Sequence, residues 1–311
     1  MIDLNPAEIM LPEVEENDYR IGHLMGERLE KDEKPRCAII GFPTDEGVRR
    51  NRGRPGAAAA PFEIRSHLYK LTPPAEQFTD FNRLIGKTRD LGNVPVTVNL
   101  EAGQDDLGDV VAELLEEGIL PIILGGGHET AYGHFLGYAK NESKVSVLNL
   151  DAHPDVRPLN DGEAHSGSPF RQALMHKSLC CEKYMVAGLQ QHSVAGVHLD
   201  FIDKYEGRYL FREETDADAV SEMLDGHGSI QLMVTFDMDA VDQAYAPGVS
   251  APNANGLHPD LWLKAAYLAG RHETVTSFDL SEMNPEFDRD GQTARLAALT
   301  VWNFLLGFSQ R

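Results

Sequence analysis

The stretch Asn-Leu-Asp-Ala-His-Pro-Asp at residues 149–155 follows directly on the apolar run Val-Ser-Val-Leu at residues 145–148. A strand sends alternate side chains to the same face, so we expect Asp151 and His153 to project together from its end. Asp155 follows where the chain leaves the sheet, which is where α/β proteins usually bind their ligands. Two carboxylates and an imidazole cannot be buried this closely without a cation, because their desolvation is too costly. The pattern predicts a metal site, and the alternative is a solvated turn rich in Asp and His.

Three other apolar runs end in ionisable residues in the same way. They are residues 231–236 before Asp-Met-Asp-Ala-Val-Asp at 237–242, residues 119–124 before Gly-Gly-Gly-His-Glu at 125–129, and residues 275–280 before Ser-Glu-Met-Asn-Pro at 281–285. The three glycines are expected to permit positive backbone angles and close packing, and to deliver His128 to the end of its strand. Four such strands predict one shared site at the carboxyl edge of a parallel sheet.

The predicted strands alternate with helix-like stretches along the chain. This alternation favours a three-layer α/β fold built on one doubly wound, mainly parallel sheet, although a length of 311 residues alone allows one large domain or two. We expect an irregular N-terminal extension over residues 1–35, including the acid-rich residues 13–18, and a single domain over residues 36–311. Helices are expected at residues 106–117 and 260–269.

Composition narrows the class of partner. The formal charge of −21 and a pI of about 4.9 argue against nucleic acid, since phosphate binding depends on Lys and Arg. No stretch is apolar and long enough to predict a membrane span, and the first residues do not resemble a signal peptide. Three cysteines make no disulfide framework, so a cytoplasmic location is expected. The adjacent Cys180 and Cys181 are either a redox pair or, as we favour, two free thiols near a strand start.

The candidate ligands share one chemistry, that of carboxylates and imidazoles. They are His128, Asp151, His153, Asp155, Asp237 and Asp239. Such ligands suit divalent ions of hard to borderline character, and the absence of a thiolate from the set argues against a structural zinc site. Six ligands are too many for one small ion that keeps an open position, whereas four carboxylates balance the charge of two divalent cations. The implied chemistry is hydrolysis by a hydroxide held between two metal ions.

The motifs at residues 125–129, 151–155 and 236–242 together resemble the metal motifs of the arginase/agmatinase (ureohydrolase) family, and the resemblance runs from about residue 38 to the C-terminus. It implies a binuclear manganese site on a three-layer α/β domain that hydrolyses a C–N bond of a small guanidino or amidino substrate. It also implies a homo-oligomer, commonly a trimer or hexamer. One manganese would be held by His128, Asp151, Asp155 and Asp237. The other would be held by Asp151, His153, Asp237 and Asp239, with Asp151 and Asp237 as bridges.

Two more positions match catalytic residues of this family. Glu282 resembles the glutamate that pairs with the planar cationic group of the substrate, a role suited to a carboxylate because it accepts two parallel N–H bonds. The alternative is an exposed acid at a helix start. His165, in Ala-His-Ser-Gly-Ser-Pro-Phe, resembles the histidine that passes a proton to the leaving amine. The alternative there is a surface histidine.

The loops resemble those of the formimidoylglutamase branch. Residues 45–57 and 246–252 are similar to stretches typical of that branch, and arginases usually carry Gly-Gly-Asp-His-Ser where this chain has Gly-Gly-Gly-His-Glu. The resemblance implies cleavage of N-formimidoyl-L-glutamate to L-glutamate and formamide. Another ureohydrolase activity, such as that of agmatinase or guanidinobutyrase, is the nearest alternative. A catalytically silent binding protein is the more distant one.

Arginines are the candidate residues for binding the carboxylates of the substrate. Formimidoylglutamate carries two carboxylates, so its pocket needs cations within a strongly acidic protein. Arg157 stands two residues after Asp155, where arginases have an Asn-rich loop, and Arg54 is the choice among the four arginines of residues 49–54. The alternatives are that this loop is solvated or contacts another subunit, and that Arg54 serves the fold.

Overall fold

A computed structural model of the chain describes residues 2–15, 18–31, 33–96 and 98–311. Its strands are β1 (Cys37–Phe42), β2 (Thr88–Asn93), β3 (Leu120–Gly125), β4 (Val145–Leu150), β5 (Cys181–Leu189), β6 (Arg208–Phe211), β7 (Leu232–Asp237) and β8 (Val275–Ser281). The four strands predicted to carry the site are β3, β4, β7 and β8. Three of them lie within a residue of their expected bounds, and β4 ends two residues beyond the apolar run at 145–148.

The α-helices are α1 (Ile21–Leu24), α2 (Glu46–Arg50), α3 (Ala60–Leu68), α4 (Phe78–Gly86), α5 (Leu100–Glu116), α6 (Thr130–Lys140), α7 (Pro169–Leu174), α8 (Gly196–Lys204), α9 (Ala217–Asp225), α10 (Pro259–Arg271) and α11 (Gln292–Phe308). The expected start of a helix at residue 106 is wrong. Helix α5 begins six residues earlier, because the Asn99 side chain accepts a hydrogen bond from Ala102 N at 3.1 Å and caps the first turn.

The eight strands form one sheet in the order β2-β1-β3-β8-β7-β4-β5-β6, and each pairs in parallel with its neighbours. Alternate strand residues face opposite layers. On one side they pack against α3, α4, α9, α10 and α11, and on the other against α5, α6, α7 and α8. The three-layer α/β fold is therefore confirmed. The four site-bearing strands are adjacent at its centre.

The segment before β1 contains only α1 as a helix among its described residues, together with a bridge from Asn5 to Asn93. Ile21 of α1 is fully buried in the core of the sheet domain. Residues 1, 16, 17 and 32 of the expected extension lie outside the described residues, and the boundary at residue 36 stays a prediction. None of the helices in the described ranges is long and apolar enough to cross a membrane. All three cysteines are free thiols.

Replacing Phe278 by Ala tests the apolar core beneath the site. Phe278 is fully buried and stacks on Phe304 of α11 with ring centroids 4.4 Å apart. Phe278→Ala should lower the free energy of unfolding by about 3–5 kcal/mol, because it leaves a cavity that the sheet cannot close. Phe62→Ala, at a site 54% exposed, is the matched control. Equal denaturant midpoints for the two variants would contradict this packing.

Candidate metal centre and substrate cavity

The carboxyl ends of β3, β8, β7 and β4 meet at one edge because the strands are parallel and adjacent. The register places Asp237 of β7 beside Ser281 of β8, and Leu150 of β4 beside Phe236 of β7. The residues that follow these strand ends are therefore brought together across the sheet. Asp151 and Glu282 are among them.

A first group of ligand atoms comes from His128, Asp151, Asp155 and Asp237, and these atoms lie within 4.8 Å of one another. The Nδ1 atom of His128 is 2.9 Å from Asp155 Oδ2, 3.1 Å from Asp237 Oδ2 and 3.2 Å from Asp151 Oδ2. Three carboxylate oxygens thus converge on one imidazole nitrogen in the protein interior. This is the donor set expected around a divalent ion.

The second group consists of Asp151, His153 and Asp239, again with ligand atoms within 4.8 Å of one another. His153 Nδ1 is 3.1 Å from Asp239 Oδ2 and 3.5 Å from Asp151 Oδ1. Asp151 belongs to both groups, as a bridging ligand would. Asp237 belongs to the first group only, so its role as a second bridge stays a prediction.

Tight turns after the strands aim the carboxylates. Asp151 Oδ1 accepts a bond from His153 N at 2.7 Å, and Asp237 Oδ1 accepts one from Asp239 N at 2.8 Å. In each turn Oδ1 accepts a backbone N–H bond while Oδ2 lies beside His128 Nδ1. Asp151 Oδ1 also lies 3.5 Å from His153 Nδ1. Asp155 has a left-handed backbone with φ of 43°, which is uncommon for a residue with a side chain and is found at functional sites.

Burial and like charge dominate the electrostatics of this cluster. Burial, helped by the charge of Asp151, raises the pKa of Asp155 to about 6. Burial and the neighbouring Asp239 and Asp151 raise the pKa of Asp237 well above its usual value. Burial alone would lower the pKa of His128, but its bonds to three carboxylates raise it well above the ordinary value. Bound positive charge, from protons or metal cations, therefore lowers the free-energy cost of burying these carboxylates together.

A buried carboxylate oxygen without a hydrogen-bond partner supports the assignment of this cluster as a metal site. Asp239 Oδ1 is buried and has no hydrogen-bond partner among the described residues. An orphaned buried carboxylate oxygen is costly in a folded protein unless a cation or ligand satisfies it. Both the type of donor atoms and this unpartnered oxygen are therefore consistent with binding of divalent ions by these residues.

Glu282 lies beside the cluster, and only one of its two carboxylate oxygens has a hydrogen-bond partner among the described residues. Its Oε1 accepts a hydrogen bond from His128 N at 2.8 Å, whereas its Oε2 is buried without a partner among the described residues. Its backbone is left-handed, with φ of 66°. Burial, then the charges of Glu129 and Asp239, raise the pKa of Glu282 well above its usual value. A cationic substrate group would reverse this effect by supplying the missing donor.

A buried network behind His128 fixes its tautomer. Thr235 Oγ1 donates to Asp279 Oδ1 at 2.7 Å, so the same hydroxyl must accept from His128 Nε2, which is 3.0 Å away. Asp279 Oδ2 in turn lies 2.7 Å from His134 Nδ1. Because Nε2 keeps its proton, Nδ1 is the ring nitrogen that faces the carboxylates, and a metal ion would bind there in place of the Nδ1 proton. Sequence reasoning missed Thr235, His134 and the role of Asp279.

The glycines at residues 125–127 are needed for close approach. A Cβ on Gly126 would lie 1.9 Å from Thr44 O. The expected positive backbone angles are wrong, since none of these three glycines adopts one. Glu129, which follows His128, is buried, and its Oε1 accepts from Gly47 N at 2.7 Å. It thereby ties α2 and the loop after it to the cluster.

The cluster forms the floor of a cavity of about 530 Å³. All the carboxylates that line the cavity belong to this floor, namely Asp155, Asp237, Asp239 and Glu282. The remaining walls carry Arg52, Arg54, Arg157 and His198. The four carboxylates are buried, whereas Arg52 and Arg157 are exposed, so the cavity is acidic at its buried end and basic towards solvent.

The arginines of residues 49–54 have different surroundings. Arg49 pairs with Glu46, and Arg50 pairs with Glu101 at 2.6 Å. Neither lines the cavity. Arg54 does, but its guanidinium donates to the carbonyls of Ser250 and Val249 and lies 4.0 Å from the centre of the Phe287 ring. These contacts serve the fold, and a substrate role for Arg54 stays a prediction.

Arg52 and Arg157 are the more available cations. Arg52 is exposed, lines the cavity and makes no side-chain hydrogen bond or ion pair with another described residue. Arg157 is also exposed and donates from Nη1 to Asn51 Oδ1 at 2.7 Å. The sequence points to Arg157 but does not distinguish Arg52 from the other arginines of residues 49–54. It assigns no role to Asn51 or His198.

The structure does not bring His165 to the cavity lining, although its neighbour Ser166 is there. His165 is fully buried. Its Nε2 donates to Pro158 O at 2.9 Å, and its Nδ1 accepts from Gly167 N at 3.2 Å. Both ring nitrogens are engaged, so a proton-transfer role would require the ring to turn. That role stays a prediction.

The fold and the site together define an α/β protein with a cluster of Asp and His residues able to bind metal. A model of the Arginase family matches residues 35–307. The chain belongs to the arginase family.

Individual relatives agree with this assignment. A formimidoylglutamase of Geobacillus kaustophilus is 36% identical over 295 residues, covering 92% of this chain and 88% of the relative. One of Rhodococcus jostii is 40% identical over 280 residues, covering 85% and 83%. The crystal structure of Trypanosoma cruzi formiminoglutamase with Mn²⁺ superposes with a TM-score of 0.87 at 31% identity, over 95% of this chain and all of that one.

Replacing Asp151, the carboxylate that both groups share, should release bound metal from the cluster. We predict that Asp151→Asn, and more severely Asp151→Ala, loses manganese from both groups, because Asp151 contributes to each. Metal analysis after dialysis measures this. Asp242→Ala is the matched control, since the Asp242 side chain accepts from Ala244 N at 2.8 Å and belongs to neither group. Full manganese content in Asp151→Ala would contradict the ligand assignment.

The network behind His128 should set metal affinity. Asp279→Asn or Thr235→Val should weaken manganese binding roughly 10- to 100-fold, because either change loosens the orientation and tautomer of the ligand. Isothermal titration of the metal-free protein measures the dissociation constants. Tyr138→Phe, which removes a hydroxyl bonded to Thr276 at 2.6 Å, alters the far end of the network and should leave the affinity near that of the wild type. Unchanged affinity in Asp279→Asn would mean that the network only supports the fold.

Proposed function

We propose that this chain is a formimidoylglutamase. The reaction adds water to the amidine carbon of N-formimidoyl-L-glutamate, breaks the bond from that carbon to the glutamate nitrogen, and yields formamide and L-glutamate. Support comes from the family membership and from relatives named formimidoylglutamase at 36% and 40% identity. The distribution of charge in the cavity is the structural observation that carries the proposal.

An acidic floor under a basic mouth suits a substrate that is cationic at one end and anionic at the other. The amidinium group would lie near Glu282, and the carboxylates would lie near Arg52 and Arg157. Agmatine ends in an ammonium group, which these arginines would repel. Arginine carries an α-ammonium, and among the described residues the walls above the floor offer no carboxylate to receive it. An amidine with carboxylates fits best.

The proposed metal content is two manganese ions per subunit. His128, Asp151, Asp155 and Asp237 would hold one ion, and Asp151, His153, Asp237 and Asp239 the other. Four carboxylates balance two divalent cations in charge, which relieves the like-charge repulsion within the cluster. When bound, such a pair supplies a water nucleophile that ionises near neutral pH.

The protein's own groups then bind and orient the substrate. Glu282 Oε2 accepts N–H bonds from the amidinium, which fixes the plane of the reacting carbon. Arg157 and Arg52 bind the carboxylates and place the amidine over the floor. The leaving nitrogen needs a proton before it departs as an amine, and we propose His165 for that transfer after its ring turns from Pro158.

A substrate panel tests the proposal. The manganese-loaded protein should hydrolyse formimidoylglutamate with a kcat/KM at least roughly 10- to 100-fold above those for agmatine, arginine and 4-guanidinobutyrate, which is the effect of one charge-assisted contact. Agmatine or 4-guanidinobutyrate as the best substrate would contradict it in favour of another ureohydrolase. Binding of formimidoylglutamate without turnover of any of the four would indicate a catalytically silent member.

Three further proposals concern the whole molecule. We propose a homo-oligomer, either a trimer or a hexamer, and a cytoplasmic location. We also propose that residues 36–311 form the catalytic domain and residues 1–35 an extension of it. Light scattering coupled to size exclusion measures the subunit number, and a monomer at micromolar concentration would overturn the first of these.

Glu282→Gln should keep both manganese ions and lower kcat/KM by roughly 10- to 100-fold. The amide replaces an ionic acceptor with a group that donates in the wrong place, and a hydrogen bond to a charged group contributes about 1.5–3 kcal/mol. Steady-state kinetics and metal analysis on the same sample measure both effects. Glu286→Gln, at an exposed neighbouring position, is the control. Near wild-type turnover in Glu282→Gln would disprove the amidinium role.

Arg157→Ala should raise KM for formimidoylglutamate by roughly 10- to 100-fold with little change in kcat, because the lost contact forms in the ground state and the transition state alike. Arg157→Lys should recover only part of this, since an ammonium cannot reproduce a forked, planar contact. Arg49→Ala removes a guanidinium outside the cavity and serves as the control. A collapse of kcat at constant KM would instead place Arg157 in support of Asp155.

A further inference from the structure

Asn51 connects two parts of the cavity wall. It follows the last residue of α2, and its backbone N donates to Gly47 O at 2.9 Å. Its side-chain Oδ1 accepts from Arg157 Nη1 at 2.7 Å, and its Nδ2 donates to Ser166 Oγ at 3.1 Å. Asn51, Arg157 and Ser166 all line the cavity. One amide therefore links the loop after α2 to the segment that follows the metal motif of β4.

The backbone and side-chain contacts of Arg157 are compatible with its hydrogen bond to Asn51. Arg157 N donates to Gly167 O at 2.9 Å. A Cβ on Gly167 would lie 3.0 Å from Arg157 Cδ and 3.3 Å from Asn51 Nδ2. A larger residue at position 167 would crowd the side chains of both Arg157 and Asn51. Because the Arg157 side chain is otherwise exposed, the contact with Asn51 is what selects one of its many rotamers.

We infer that Asn51 is a positioning residue for substrate specificity, which holds the Arg157 guanidinium towards the cavity without neutralising it. The inference rests on the proposed function, in which Arg157 binds a substrate carboxylate. A guanidinium has five N–H donors, and Asn51 accepts from one. A carboxylate at this position would form an ion pair with Arg157 and compete with the substrate. An apolar residue would leave the arginine untethered.

Asn51→Ala and Asn51→Asp should therefore differ. Asn51→Ala should raise KM for formimidoylglutamate roughly 3- to 10-fold, since the substrate must then order a mobile arginine. Asn51→Asp should raise it on the order of 10- to 100-fold, because the new carboxylate competes directly. In both variants kcat/KM for N-butylformamidine, an amidine without a carboxylate, should equal that of the wild type. Asn160→Asp is the control, since Asn160 is exposed, lies outside the cavity lining and bonds only to backbone.

A double-mutant cycle makes the test specific. In an Arg157→Ala background, the effect of Asn51→Asp on KM for formimidoylglutamate should vanish, because the two residues act through one contact. Additive effects would overturn the inference. So would an equal loss of kcat/KM on formimidoylglutamate and N-butylformamidine, which would mean that Asn51 only supports the fold.

Failure of the inference and failure of the proposed function are distinguishable. A wild-type protein that turns over 4-guanidinobutyrate but not formimidoylglutamate would contradict the proposed function. The same variants would then be compared on 4-guanidinobutyrate, which also carries a carboxylate, with the same expected order. A wild type active on formimidoylglutamate with an Asn51→Asp KM equal to its own would overturn the role of Asn51 alone.

Discussion

Four buried aspartates are gathered within a few ångströms at the carboxyl edge of a parallel sheet, and the rest of the site is arranged around their mutual repulsion. Asp155, Asp237 and Asp239 all have a raised pKa, chiefly because of burial. Such a cluster is tolerable only if cations neutralise it. The apolar layers on both faces of the sheet provide the folding free energy that holds the carboxylates in place despite that cost.

The parallel sheet brings these charged residues together. Parallel strands that are neighbours in the sheet but distant in sequence end at the same edge, so β3, β4, β7 and β8 each deliver residues to one point. The turns after the strands commit one oxygen of Asp151 and Asp237 to backbone N–H groups. The Oδ2 atoms of these two residues lie 3.2 Å and 3.1 Å from His128 Nδ1, and this arrangement reduces the reorganisation that metal binding requires.

Sequence alone predicted the parts of the site that depend on local spacing. Spacing at every second residue singled out Asp151, His153, Asp237 and Asp239, which the structure gathers into the two groups, although only Asp237 lies within a strand. The fold class followed from alternating strands and helices. The partners missed were those joined by tertiary structure. His134 and Asp279 are 145 residues apart, and nothing in either local pattern indicates that they meet.

Side-chain direction was the second limit of sequence reasoning. Among the arginines of residues 49–54, spacing could not distinguish Arg50, which pairs with Glu101, from Arg52, which lines the cavity. The motif around His165 likewise gave no sign that its ring would bond to Pro158 O. Asn51 had no signal of its own, because its role depends on Arg157, which lies 106 residues further along the chain.

We propose that one cluster holds two cations with Asp151 between them. Anomalous diffraction at the manganese absorption edge, from crystals of the manganese-loaded protein, measures this directly. We expect two peaks, one surrounded by His128, Asp151, Asp155 and Asp237, and the other adjoining Asp151, His153 and Asp239. A single peak, or a pair of peaks that Asp151 does not touch, would contradict it.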